Sequence, residues 1–196
     1  LDEGLARVDA SFPFRGRDGC EWMALRAAFI GTVLHHDVGL VAPSQFARHR
    51  FLALAPVLAQ ARWEIVPHGM TPLPRLPAPA PRPGAPLRVL VPGRIHGEKG
   101  ERLLQPMLAG LPAGIELVLL GSGYRGGAFR GREDVSVVLD YAHAELADEV
   151  ARIAPDLALL PSSVPETFSY MLSEVMALGL PVVCAAPGAP ADRLAA

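Results

Sequence analysis

The chain has 196 residues, of which 51% are hydrophobic and 19% charged, and a formal net charge of −2. That apolar fraction is ample for a packed core and excludes wholesale disorder, and the length allows one domain or one domain plus part of another. The slight negative charge leaves no global basic field for nucleic acid or an anionic membrane, and no apolar run reaches the roughly 18–20 residues of a spanning helix. Two cysteines, Cys20 and Cys184, cannot form a disulfide framework, so a reducing compartment is expected. The first residue is Leu1 and no charged-then-apolar leader follows it, which reads as a piece of a longer protein.

In chain order, residues 21–34 carry a helical pattern, VGLVAPS (38–44) reads as a strand running into a turn, and QFARHRFLALAPVLA starts as a helix. WEIVPHG (63–69) is a second strand ending in a turn. Two strands are too few for a self-sufficient sheet, so residues 1–70 are expected to be the end of a preceding domain. Residues 71–86, TPLPRLPAPAPRPGAP, hold seven of the twenty prolines. They can hold neither a ladder nor a helix and read as an extended, semi-rigid linker; a long surface loop inside one domain is the alternative.

From residue 87 the pattern is regular. LRVLVPG (87–93), IELVLLG (115–121), VSVVLDY (135–141), LALLPS (157–162) and PVVCAA (181–186) are continuous apolar runs. Helical segments are expected at 98–109, 143–154 and 167–179, and residues 122–134 are Gly- and Arg-rich and irregular. Apolar strands alternating with helices predict an α/β fold with a parallel sheet covered on both faces, a doubly wound Rossmann-like unit over 87–196. The closing ADRLAA begins a helix and stops, so this end is also expected to be truncated.

Chemistry concentrates where strands end. A helix opening at Thr167 would present the amides of Thr167, Phe168 and Ser169 with the positive end of its dipole, an anion site at the carboxyl edge of the sheet. Glu166 stands just before that helix and Glu174 eight residues on, about 10–12 Å further along the axis. A sugar, a diphosphate and a ribose have that layout, with carboxylates accepting hydroxyl hydrogen bonds on either side of an anion; two solvent-facing glutamates are the simpler alternative. GRIHGEKG (93–100) ends the first strand on the same edge, bringing Arg94 and Lys99, a planar fork and a movable point charge for phosphate.

VPHG (66–69), GRIHGEKG, LLGSG (119–123) and LPSSVPETFSYMLSEVMALGLPVV (160–183), in that order and with the E-x7-E spacing, resemble the C-terminal half of GT-B glycosyltransferases of the "glycosyl transferases group 1" family, family 4 in the carbohydrate-enzyme classification. The resemblance spans residues 36–196. It implies a retaining glycosyltransferase whose donor is a UDP- or GDP-type sugar and whose acceptor is a glycan or lipid-linked glycan. By the same resemblance Glu166 touches the transferred sugar and Glu174 holds the ribose hydroxyls. Arg94 and Lys99 bind the diphosphate together with amides of Phe168, Ser169 and Tyr170. Gly93 and Gly123 are further donor-site candidates, and Tyr141, at the end of the third strand, is a candidate to flank the nucleobase, an interior or rim tyrosine being the favoured alternative. VAPSQFARHR (41–50) resembles the last βα unit of the acceptor-side domain, and VPHG the crossing into the donor domain.

The family often has glycine where Ser169 stands, and the Pro-rich stretch is longer than its usual hinge. The PETFSYMLSE wording is most like bacterial members that build surface polysaccharides, which implies a cytoplasmic protein, at the inner face of the membrane if an outlying part associates peripherally. There is no D-x-D and no zinc-spaced His/Cys cluster, so no cofactor or metal is expected beyond the donor, and the cations and helix end would stabilise the leaving diphosphate. Partners exclude nucleic acid. His68 is expected as a hinge or turn residue, His96, within the phosphate loop, as a candidate phosphate contact, Ser44 as a helix cap and Cys184 as a small buried residue. The competing functions are a nucleotide-sugar epimerase of GT-B-like fold, a non-catalytic nucleotide-sugar-binding domain, and a receiver-like or flavin-binding α/β module. Alone, the chain is expected to bind donor weakly and transfer little.

Overall fold

The computed structural model describes residues 16–97, 99–185 and 188–196. Glu98, within the expected phosphate loop, and Ala186, at the end of the expected last strand, lie outside the described residues, as do residues 1–15. The chain divides into two compact units, one through Pro67 and one from His68 to Ala196.

In the first unit, α1 (Gly19–His35) is opened by a capping box: Asp18 accepts from the Glu21 amide at 2.9 Å and Glu21 accepts from the Asp18 amide at 3.0 Å. The parallel pair β1 (Leu40–Ala42) and β2 (Trp63–Ile65) forms a two-stranded sheet. Ser44 is buried and caps α2 (Gln45–Leu54), as expected, through the Ala47 amide at 3.1 Å. Pro56 ends that helix, which the sequence reads only as starting in QFARHRFLALAPVLA, and begins a 3-10 turn, Pro56–Gln60. Val33, Ala55 and Leu58 form the small core of this unit.

The second unit is a five-stranded, all-parallel sheet in the order β5-β4-β3-β6-β7, with β3 (Leu87–Pro92), β4 (Ile115–Leu120), β5 (Val135–Val138), β6 (Leu157–Leu160) and β7 (Val182–Cys184). Alternation along the central strands separates two cores. Val89, Val91, Leu117 and Leu119 face α3 (Glu101–Ala109) through Leu104 and Leu108. Leu90, Val118 and Leu120 face α4 (Leu146–Ile153) and α5 (Tyr170–Ala177) through Leu146, Val150, Ile153 and Val175. A last helix, α6 (Ala189–Ala195), realises the helical start expected in ADRLAA. No described helix is long and apolar enough to cross a membrane.

The Pro-rich stretch 71–86 is free of regular structure but is not a free spacer: it lies on the second unit. Leu73 and Leu76 pack on the α4/α5 core, the Leu76 amide donates to the Leu178 carbonyl at 3.0 Å, and Arg82 pairs with Asp156 at 2.6 Å. Proline supplies the extended backbone, while the two leucines and one arginine supply the attachment.

Strand order starts at β3 and grows both ways, so the loops after β3 and β6 leave the sheet in opposite directions and open a crevice between them. On the β4 side the sheet edge is closed by Tyr141. It packs over Gly121, whose φ is +71°, and a Cβ there would meet the ring at 2.5 Å. Gly121→Ala should therefore lose about 2–4 kcal/mol of stability, from the positive φ and the overpacked ring. Gly127→Ala, with open space at that position, should stay near wild type. Urea-unfolding midpoints of the two variants check this.

Candidate functional site

The crevice holds a cavity of about 730 Å³. Arg94, Lys99, Glu166 and Glu174 all line it, as do Gly93, Phe168, Ser169 and Tyr170. Gly123 and Tyr141 do not. Gly123 lies behind Arg94, 3.9 Å from its Cγ to a Cβ built there, and Tyr141 is packed against the α4/α5 core. Burial first, then the carboxylates of Glu174 and Asp140, push the Tyr141 phenol above its ordinary range.

The loop after β3 is fixed by its own backbone. The Lys99 amide donates to the His96 carbonyl at 2.6 Å, and Lys99 makes an antiparallel bridge to Ser162 in the loop after β6. The two lips of the crevice are thus sewn together at Lys99. The helix expected from residue 98 begins at Glu101, because Gly100, at φ +93°, turns the chain into it. A Cβ on Gly100 would meet Pro161 at 3.0 Å, so the close approach of the lips also needs glycine there. The Glu101 carboxylate accepts from the Gly97 amide at 2.7 Å and pairs with Arg125 at 2.9 Å. Arg94 and Lys99 are both exposed, presented outward by this braced loop.

The loop after β6 differs from the expectation. α5 opens at Tyr170, not at Thr167. Its cap is Ser169, whose Oγ accepts from the Leu172 amide at 3.4 Å. The amides preceding the first intrahelical bonds are therefore those of Tyr170 and Met171, both on the cavity wall. Phe168 precedes the cap and is 5% exposed, with the Arg193 guanidinium of α6 4.3 Å above its ring. Arg193 also donates to the carbonyls of Phe168 and Ser169 at 2.9 and 3.2 Å and to Ser173 at 2.8 Å. Its desolvation lowers its pKa from the ordinary arginine range. Three donor bonds and a ring make Arg193 the clamp of this turn. Sequence reading missed it because nothing local distinguishes an arginine in a terminal helix.

Glu166 lies four residues before α5, so helix geometry does not set its distance from Glu174 as expected. Its backbone is pinned by the Ala189 amide, which donates to its carbonyl at 2.8 Å, and by Gly188, where a Cβ would stand 2.9 Å from the Glu166 amide. Its carboxylate is 21% exposed and loosely paired with Lys99, Nζ to Oε1 3.9 Å. Glu174 is instead buried, at 8%, and its Oε1 lies 2.7 Å from His143 Nε2. His143 sits on a single 3-10 turn, His143–Glu145, leading from β5 into α4; the sequence marks it only as the start of an amphipathic segment. His68 also lines the cavity, stacked on Tyr170 at 5.2 Å and edge-on to Phe168 at 4.8 Å. His96 lines it too. Cys184 is half-buried, and burial raises its thiol pKa.

With this geometry in place, the comparisons give the fold. No family model matches the chain, and no curated protein matches it. Solved structures do. A sucrose-phosphate synthase from Thermosynechococcus elongatus matches with TM-score 0.61 and 21% identity, over 94% of this chain and 49% of that one. The lipopolysaccharide outer core galactosyltransferase WaaB matches with TM-score 0.59 and 20% identity, over 74% and 42%. HepE of Anabaena, solved in complex with UDP-glucose, matches with TM-score 0.53 and 20% identity, over 78% and 46%. The chain has the GT-B glycosyltransferase fold and spans under half the length of these structures.

Two outcomes follow from the local structure. Ser169 holds φ +70°, which costs a serine about 1–2 kcal/mol, whereas glycine in place of a serine cap costs only a few tenths. Ser169→Gly should therefore raise the unfolding midpoint, read by thermal denaturation. The Gly97 amide and then Arg125 hold the Glu101 carboxyl below its ordinary value. The brace on the loop after β3 is accordingly complete above the ordinary glutamate range and is lost as pH falls through the lowered value. The Gly97 amide resonance should titrate below that range, and Arg125→Ala should move its midpoint upward.

Proposed function

We propose that this chain is the donor-binding part of a retaining glycosyltransferase that takes a sugar from a nucleoside diphosphate sugar to a glycan or lipid-linked acceptor, in bacterial surface polysaccharide synthesis. One observation carries the reading: two cations, a helix N-terminus and two carboxylates converge on one cavity at the switch point of a parallel sheet. The match to a GT-B structure holding UDP-glucose supports it.

The donor diphosphate lies between Arg94, Lys99 and the amides of Tyr170 and Met171. As the glycosidic bond breaks, negative charge grows on the departing phosphate, and preorganised cations and amides stabilise that charge most in the transition state. This protein positive charge serves without a resident metal. Glu166, tethered to the Lys99 side, meets hydroxyls of the transferred sugar. Glu174, on the far side of the helix tip, takes ribose hydroxyls. The stacked His68 and Tyr170 wall the sugar end. The chain carries the donor chemistry and is expected to transfer little by itself.

Calorimetry with UDP, GDP and their glucose or mannose conjugates tests this. At least one nucleotide should bind, and the Arg94→Ala/Lys99→Ala double variant should lose tenfold or more in affinity, about 1.4 kcal/mol. Absence of binding by all of them, or unchanged binding by the double variant, refutes the assignment.

A further inference from the structure

Among the described residues, Glu174 is the one carboxylate of the cavity taken out of water, and it is not left bare. His143 Nε2 lies 2.7 Å from its Oε1, whereas the His143 side chain is itself 65% exposed. A buried carboxylate with one partner on one oxygen has that oxygen fixed and the other directed by it. His143 is not among the residues lining the cavity, while Glu174 is. The histidine therefore holds the carboxylate from outside and leaves Oε2 as the acceptor for whatever occupies the cavity.

His143 owes this reach to the chain path. β5 ends at Val138, the turn passes Tyr141 over Gly121, and the 3-10 turn His143–Glu145 carries the imidazole back toward α5. Tyr141, beside the same turn, also feels the Glu174 charge.

We propose that His143 is a positioning residue of the donor site: by donating Nε2–H to Oε1 it aims Glu174 at a vicinal diol of the ligand, and so sets discrimination of ribose from deoxyribose. This rests on the donor reading above. The role is local to one end of the nucleotide, so it predicts a selectivity effect rather than general weakening.

The experiment compares UDP with 2′-deoxy-UDP by calorimetry on the chain, on His143→Ala and on His143→Gln. The wild type should prefer UDP by tenfold or more, in line with a hydrogen bond to a charged group. His143→Ala should bring the two affinities within about threefold of each other while leaving 2′-deoxy-UDP binding near its wild-type value, and His143→Gln, which keeps a donor near the Nε2 position, should restore the preference. Equal weakening of both nucleotides in His143→Ala, an unchanged ratio, or no preference in the wild type overturns the proposal, even where Arg94→Ala/Lys99→Ala shows that the donor reading stands. Where GDP rather than UDP is the nucleotide bound, the pair compared is GDP and 2′-deoxy-GDP; failure of the wild type to bind UDP and GDP alike overturns both.

Discussion

The site depends on a reversal of winding direction. β3 is central; β4 and β5 are laid down on one side of it and β6 and β7 on the other. Loops leaving β3 and β6 must diverge, since each leads to a helix on the opposite face, and divergence leaves a crevice that side chains from neither face fill. Left to themselves two such loops would be mobile. Here the bridge between Lys99 and Ser162 and the contact of Gly100 with Pro161 tie them at their bases. Backbone, not side chain, sets the width of the opening, which lets Arg94 and the Lys99 ammonium remain exposed and available.

Around that opening the charges are arranged by how firmly each is held. Lys99 and Glu166 are 3.9 Å apart and partly exposed, a pair that water screens and that contributes little to stability. Such a pair separates at small cost when a ligand supplies a better partner for each. Arg193 is at the other extreme, with three hydrogen bonds and a ring beneath it, and its task is to hold the turn that carries Phe168 and Ser169. Under the proposed donor reading, a rigid frame and a loose rim suit a site that binds a polyanion and then releases a smaller one.

The sheet was legible because parallel strands buried on both faces write themselves as unbroken apolar runs, and each of the five runs from residue 87 onward contains its strand. The four charged residues were legible because their spacing places them after β3 and β6, whatever the details between. The start of α5 was not. Thr167 carries an ordinary capping signal, and the cap falls on Ser169 only because Arg193, Gly188 and Phe168 hold that turn in a conformation no local propensity favours. His143 and Arg193 were missed for a related reason: each acts on a segment at least twenty residues away, and long-range pairing leaves no periodic trace. The Pro-rich stretch shows the complementary limit. Composition reported its extended backbone, whereas attachment came from Leu73, Leu76 and Arg82, which composition averages away.

The two glutamates, alike in sequence spacing, end in opposite environments, and the difference fits them to different tasks. Glu174 is buried and held on one oxygen, so it meets a ligand with little reorganisation and little entropy left to lose. A fixed acceptor suits a group that must be recognised but does not change during reaction. Glu166 is pinned through its backbone by Gly188 and Ala189, yet among the described residues its carboxylate has only a distant cation as partner. Under the proposed donor reading, a carboxylate free to turn suits the reacting end, where the sugar shifts as its bond to phosphate lengthens and a cation beside it moves toward the growing charge. Under the proposed donor reading, the E-x7-E pair therefore divides recognition from response. The division is produced by what contacts each carboxylate, His143 in one case and Lys99 in the other, rather than by the glutamates themselves.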